Sequence, residues 1–175
     1  MTNLGHACWC GCPECDPEGK LNMKTTMEDI EGVPIVKVEK IREDAFIPER
    51  AYENDSGFDC RLPDNLLIRA GDLVLVKLGF RIELPDGWEC QMRNRSGIVT
   101  KYRVMLALGV GTIDTDYRGE VMVPLFNFSN SYARFERGTK ITQMVFKKID
   151  KIRLAEAPVS IGTERGEGGF GSTGR

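Results

Sequence analysis

Three short segments carry residue types at spacings suited to chemistry on phosphates. GTIDTDYRGE, residues 111–120, sets Asp114 and Asp116 between an apolar run and a β-branched one. A carboxylate fixed there is the most conspicuous group for taking a proton from water, because the single histidine, His6, lies near the N-terminus and neither HExxH nor GxSxG occurs. Taken alone, the segment reads more readily as an Asx turn in a hairpin made by Asp114 or Asp116. RNRSG, residues 93–97, offers two arginines and a hydroxyl beside a possible helix start, where guanidinium and backbone N–H groups can meet phosphate; a solvated turn is the alternative. GEGGFGST, residues 166–173, has the glycine spacing of a phosphate-binding loop but no lysine and no strand-to-helix context. What survives is a glycine-rich backbone able to turn N–H groups and the Ser172 and Thr173 hydroxyls toward an anion, with Arg165 beside it, or else a disordered terminus. Phe170 is a large ring in that tail with no core partner nearby in sequence, and stacking would account for it.

The elements that must position these residues read as strands. From 73 to 84, Val74, Val76, Leu78, Phe80, Ile82 and Leu84 share one parity, and Lys77, Arg81 and Glu83 take the other. That is period 2, a strand or a pair of strands meeting near Gly79 with one buried face. PIVKVEKI, EVMVPLFNF and KITQMVFKKI are further short runs rich in β-branched or aromatic residues. Pro124 inside the second of these implies an edge or a bulge. The one helix expected is SGIVTKY, residues 96–102, with Ser96 able to cap its first turn. Many short strands at this spacing predict a mainly β protein, a sandwich, jelly roll or barrel.

The chain has 175 residues and a formal charge of 24 − 26 = −2. No general basic surface for nucleic acid is implied, and no apolar run approaches the roughly 20 residues of a membrane helix. The start, MTNLGHACWC, lacks a basic segment followed by an apolar one, so a cytoplasmic setting is expected. Of six cysteines, Cys8, Cys10, Cys12 and Cys15 crowd together, with His6 adjacent. Zinc at that cluster is one reading, but the usual separation of two ligand pairs is missing, and a thiol-rich arm is preferred. Cys60 and Cys90 read as buried small hydrophobes. The organisation expected is a Cys-rich arm and linker over 1–32, a β domain over 33–160 and a glycine-rich segment over 161–175.

In order, SGFDC (56–60), RSG (95–97), GTIDTDYRGE (111–120), GTKITQMVF (138–146) and RGEGGFGSTG (165–174) resemble the five motifs of the trimeric deoxyuridine triphosphatase (dUTPase) family. The resemblance spans about residues 35–175 and implies a jelly-roll-like subunit in a homotrimer with swapped C-terminal tails, each tail a lid over a neighbour's site. The implied reaction is hydrolysis of dUTP to dUMP and pyrophosphate, with Mg2+ on the triphosphate and water attacking the α-phosphorus. In this correspondence Asp114 activates the water and Tyr117 packs under the deoxyribose. Leu108, Gly111, Thr112 and Ile113, with Met122 on the second strand of a hairpin, form the uracil pocket. Arg95, Ser96 and Gly97 contact phosphates, Gln143 links phosphates and water, and Asp59 reaches magnesium through its bound water. In the tail, Arg165 clamps the γ-phosphate and Phe170 stacks on uracil. Gly168, Gly169 and Gly171 supply backbone there, and Ser172 and Thr173 close on the terminal phosphate.

Two departures stand out. Leu108-Gly109-Val110 replaces the frequent Asn-x-Pro of the third motif, which preserves main-chain contacts only; Ser56 and Cys60 replace the commonest first-motif Ala and Leu. The related dCTP deaminase branch is disfavoured by Gly97 and Pro124, which stand where that branch has a serine and a catalytic glutamate. A same-fold regulatory module that grips a protein partner is the remaining alternative, and the arm leaves such a partner open.

Overall fold

The computed structural model describes residues 33–169. Contacts divide the chain at Ile35/Val36. Of the first unit only residues 33–35 are described, and they form no regular element. In the second unit the order is β1 (Lys37–Lys40), β2 (Phe58–Arg61), β3 (Leu66–Ile68), β4 (Leu73–Lys77), β5 (Phe80–Glu83), β6 (Trp88–Asn94), α1 (Ser96–Tyr102), β7 (Val104–Leu106), β8 (Val110–Ile113), β9 (Met122–Asn127), β10 (Ala133–Phe135) and β11 (Lys140–Lys148). The protein is mainly β, as its alternating patterns imply.

Every pairing among these strands is antiparallel. The larger sheets run β2-β11-β6-β8 and β4-β9-β7, with two-stranded sheets β1-β5 and β10-β3. One apolar cluster joins both larger sheets: Cys60, Met92 and Met144 come from the first, Val76, Val104 and Leu125 from the second. The 73–84 parity holds, since Val76, Leu78, Phe80, Ile82 and Leu84 are buried while Leu73 and Leu75 are exposed. The break falls at Gly79, whose φ of +77° suits glycine and whose Cβ would lie 2.9 Å from that of Ala45. This break moves the chain from the β4 sheet to the β5 sheet.

Three local expectations are corrected. Pro124 lies in β9, which is central, between β4 and β7. It is tolerated because β7 stops at Leu106, opposite Leu125. Ala107, just beyond, still donates its N–H to the Pro124 carbonyl at 2.9 Å. A residue's N and C=O face the same side of an antiparallel strand, so the missing N–H points where the ladder has already ended. Second, Ser96 does not cap α1: Arg95 is the N-cap, extended at φ −96°, ψ 129° with no side-chain cap bond, and Ser96 is the first helical residue. Third, β8 and β9 do not form a hairpin. β8 pairs with β6 and β9 with β4 and β7, so Thr112 and Met122 belong to different sheets.

Beyond β11, residues 149–169 form no strand or helix, and Ile152, Leu154, Val159 and Ile161 are exposed, Leu154 at 98%. Among the described residues no helix is long and apolar enough to cross a membrane.

Candidate active site

The centre of the four-stranded sheet brings three distant motifs into one row. β11 lies between β2 and β6, and its Gln143 faces Asp59 on one side and Arg93 on the other. Two residues past Arg93 the chain leaves β6 at Arg95 and enters α1, which places Ser96 and Gly97 beside the row. Asp59, Arg95, Ser96, Gly97 and Gln143 accordingly line one cavity of about 530 Å³.

Asp59 is the electrostatic centre. It is only 7% exposed. Its backbone is fixed by N–H donation to the Glu49 carbonyl at 2.8 Å. One carboxylate oxygen lies 2.7 Å from Arg95 Nε and the other 2.9 Å from Lys140 Nζ. Arg95 Nη1 also donates to the Lys140 carbonyl at 3.0 Å. These bonds lock the guanidinium plane and consume the Nε–H and one Nη1–H, leaving the other N–H groups of the fork available to an anion.

Gln143 is held with equal care. Its Nε2 donates to the Asn94 carbonyl at 2.9 Å. A Cβ on Gly57 would fall 2.1 Å from Gln143 Oε1, so only glycine admits this orientation. At Gly97 nothing lies within 4 Å of an added Cβ, which leaves open space at the start of α1.

The third motif lies apart from this cavity. Asp114 is exposed and begins a turn closed by Tyr117 N–H to the Asp114 carbonyl at 3.1 Å. No hydrogen bond to its carboxylate is made by the described residues, so the side-chain Asx turn is not formed. The Tyr117 hydroxyl donates to the Glu120 carbonyl at 2.9 Å, and the ring fills the space beside Gly119, where a Cβ would meet it at 2.4 Å. Leu108, Tyr117 and Met122 all show apolar surface to solvent. Gly111 and Thr112 run along β6 opposite Met92 and Gln91, and Ile113 is buried opposite Cys90.

In the tail, Arg165 Nε donates to the Gly168 carbonyl at 2.8 Å within a local exposed turn, and Gly169 follows it. Phe170, Gly171, Ser172 and Thr173 lie outside the described residues, as do Cys8, Cys10, Cys12 and Cys15 with the zinc reading placed on them.

Sequence reasoning missed Lys140, Tyr52 and Asp55. Tyr52 and Asp55 line the cavity and hold each other, Tyr52 N–H donating to Asp55 Oδ2 at 3.0 Å. The Asn54-Asp55 pair was the available signal for that turn. Lys140 sits three residues before Gln143 in the fourth motif, but only pairing β11 with β2 reveals its carboxylate partner.

An antiparallel β subunit in which three separate motifs meet at one cavity, with Arg95 set beside the Asp55 and Asp59 carboxylates, places the chain among all-β proteins whose site is assembled from distant segments. The family model for dUTPase matches residues 43–174. Deoxyuridine 5'-triphosphate nucleotidohydrolase of Clostridium tetani is 40% identical over 140 residues, covering 80% of this chain and 97% of that protein. The Hydrogenobaculum sp. protein of the same name is 45% identical over 138 residues, covering 78% and 96%. A point mutant of the Staphylococcus bacteriophage 80alpha dUTPase, solved with dUpNHpp, superposes with a TM-score of 0.75 at 22% identity, covering 81% of this chain and 99% of that one. This chain belongs to the dUTPase family.

Proposed function

We propose that the protein is a dUTP diphosphatase that hydrolyses dUTP to dUMP and pyrophosphate. The names of its relatives support the substrate. The observation that carries the mechanism is the division of the motifs within one subunit. The phosphate-facing cavity holds Arg95, Ser96, Gly97 and Gln143, whereas Asp114 and Tyr117 are exposed elsewhere. A working site therefore joins the cavity of one subunit to the third motif of another, as a homotrimer allows. The exposed apolar residues from Ile152 to Ile161 fit the same reading, as the stem by which the tail, with Arg165, Gly168, Gly169, Phe170, Gly171, Ser172 and Thr173, reaches a neighbour's site.

In the reaction, the water oxygen bonds to the α-phosphorus and the bond to the bridging oxygen breaks. Pyrophosphate departs with the electron pair, and the water's proton passes to the Asp114 carboxylate. Asp114 accepts that proton effectively only if the water is already in line, so positioning supplies much of the rate. Arg95, immobilised by Asp59 and Lys140, presents its remaining N–H groups to phosphate oxygens at no cost in reorganisation during the reaction. Gln143 keeps one amide N–H and its Oε1 for water and phosphate. Leu108, Gly111, Thr112 and Ile113 offer main-chain groups to uracil, and Met122 packs beside them. Tyr117 supplies the ring under the deoxyribose.

Magnesium is implied by the family, and one phage neighbour, the phi11 dUTPase, is described as coordinating a structural Mg(II) ion. The residues present do not fit a protein-held ion. Each Asp59 carboxylate oxygen already meets a cation, and the described residues contain no cluster of three His, Cys, Asp or Glu. Magnesium is accordingly assigned to the substrate's phosphates, and no step is routed through it.

The test is pyrophosphate release from dUTP, dCTP, dTTP and UTP, each with magnesium and with chelator. Release from dUTP alone, with no ammonia from dCTP, is expected. Equal turnover of UTP, or deamination of dCTP, would overturn the assignment.

A further inference from the structure

A second cavity of about 430 Å³ lies at the C-terminal end of α1 and shares no lining residue with the catalytic one. Lys101, Arg103 and Arg134 line it with Asn130, Ser131 and Tyr132, and no carboxylate does. None of these three cations forms an ion pair among the described residues, although Arg42, Arg61, Arg81, Arg95 and Arg137 all do. Three like charges around a small cavity repel one another. The carbonyl end of so short a helix offsets about half a charge at most.

The frame around these cations is fixed. Asn127 is fully buried, and its Nδ2 donates to the carbonyls of Ile68 at 3.0 Å and Ser131 at 2.8 Å. Its Oδ1 accepts from Ser129 N at 3.0 Å and Ser129 Oγ at 2.7 Å. The loop that carries Asn130, Ser131 and Tyr132 is thus pinned at its base. On the other wall, the Arg103 carbonyl accepts from Phe128 N–H at 3.0 Å.

Arg103 is the only non-glycine residue among those described with a left-handed backbone, φ 52° and ψ 41°. Glycine would close α1 there without strain, so the arginine at this C-cap carries a backbone cost that glycine would not. We propose that this cavity binds a phosphate-bearing small anion at a site distinct from the catalytic one. Two guanidinium forks and one ammonium match the oxygens of a di- or triphosphate, and Ser131 and Tyr132, which also line the cavity, carry hydroxyl donors. Three cations on a chain of net charge −2 are too few for a polymeric anion, and an open cavity of about 430 Å³ suits a small one.

The proposal is tested by titrating the full chain, saturated with a non-hydrolysable imido analogue of dUTP, with pyrophosphate and separately with dATP. One pyrophosphate per chain is expected to bind, about tenfold more weakly in Arg134→Gln and in Arg103→Gly. Arg103→Gly carries its own signature: its Tm rises in anion-free buffer, because the strain is relieved, while the rise in Tm that pyrophosphate gives the parent protein is lost. Turnover of dUTP is unchanged in both variants. If dATP binds as pyrophosphate does, the site reads a nucleotide's phosphate tail; if only pyrophosphate binds, it reads the free anion. No binding to the analogue-saturated protein, or binding indifferent to both substitutions, overturns the proposal. Failure of the analogue itself to bind would count against the dUTP assignment, and the Arg103→Gly stability signature tests the anion site independently of it.

Discussion

Gly57→Ala is expected to disable the enzyme while leaving its fold nearly untouched. The new methyl would sit 2.1 Å from Gln143 Oε1 and 3.0 Å from Cδ, so the flexible amide end must rotate away. It then loses its 2.9 Å bond to the Asn94 carbonyl, a net loss of about 0.5–1.5 kcal/mol. Gly57 has no left-handed backbone requirement, so alanine returns about 0.4–1 kcal/mol by restricting the unfolded chain. The two nearly cancel, and Tm at fixed protein concentration should move by no more than about 4 °C. Catalysis has no such compensation: with the amide displaced, a contact to charged phosphate or to the attacking water is lost, about 1.5–3 kcal/mol, and kcat/KM should fall about 10- to 100-fold. Gln143→Ala should cost the same. Because both changes remove one interaction, Gly57→Ala/Gln143→Ala should be no slower than either single variant, and more stable than Gln143→Ala alone. Steady-state hydrolysis of dUTP and thermal melts of the four proteins decide it. Additive losses in kcat/KM, or a fully active Gly57→Ala, would refute the claim that Gly57 acts through Gln143.

Asp114→Asn should lower turnover by orders of magnitude and leave affinity for a non-hydrolysable dUTP analogue largely intact; surviving hydrolysis would remove Asp114 as the base. Mixed after co-refolding, Asp114→Asn and Arg95→Ala should recover about one quarter of the parent activity, since random trimers rebuild that share of sites from one intact half of each. No recovery would place both residues in the same subunit's site. Lys140→Met strips one of two cations from the nearly buried Asp59 carboxylate and should destabilise the fold by about 1.5–3 kcal/mol in denaturant melts, with an accompanying rise in KM. Burial, with the Glu89 charge adding to it, pushes the Cys90 thiol up to about 12. Unfolded thiols ionise near pH 8.5–9, so this contribution is fully present below that pH and is lost as pH rises toward 12, at about 1.4 kcal/mol per unit. Cys90→Ala should therefore show a shallower alkaline fall in stability than the parent, whatever its baseline; equal slopes would contradict the burial.

What was legible in the sequence follows from which interactions are local. The alternation from Val74 to Leu84 reports burial residue by residue, so its face, and the interruption at Gly79, could be read directly. Pro124 could not, because its tolerance depends on β7 ending at Leu106, a fact about a different strand. The GTIDTDYRGE segment has the length of a hairpin return, yet β8 and β9 join separate sheets, and the segment's own composition is the same either way. The site residues divide similarly. Arg95, Ser96, Gly97, Asp59 and Gln143 stand out only as parts of ordered motifs, and the sheet order β2-β11-β6 is what makes them neighbours.

Lys140 shows why the remainder was hidden. A lysine in a strand reads as a solvated charge until the strand beside it is known, and its partner Asp59 is far away in sequence. Once paired, it changes what Arg95 can do. With Asp59 held from both sides, Arg95 spends its Nε–H and one Nη1–H on protein acceptors and cannot swing out to solvent, so the rest of its fork stays aimed at one place. Had Asp59 only Arg95 to bind, an incoming phosphate would compete with the carboxylate for that same guanidinium. The second cation lets the carboxylate keep its hold while the anion takes the free edge. On the proposed reading, phosphate would meet an arginine whose orientation is set before substrate arrives, and Lys140, which helps to set it, does not line the cavity.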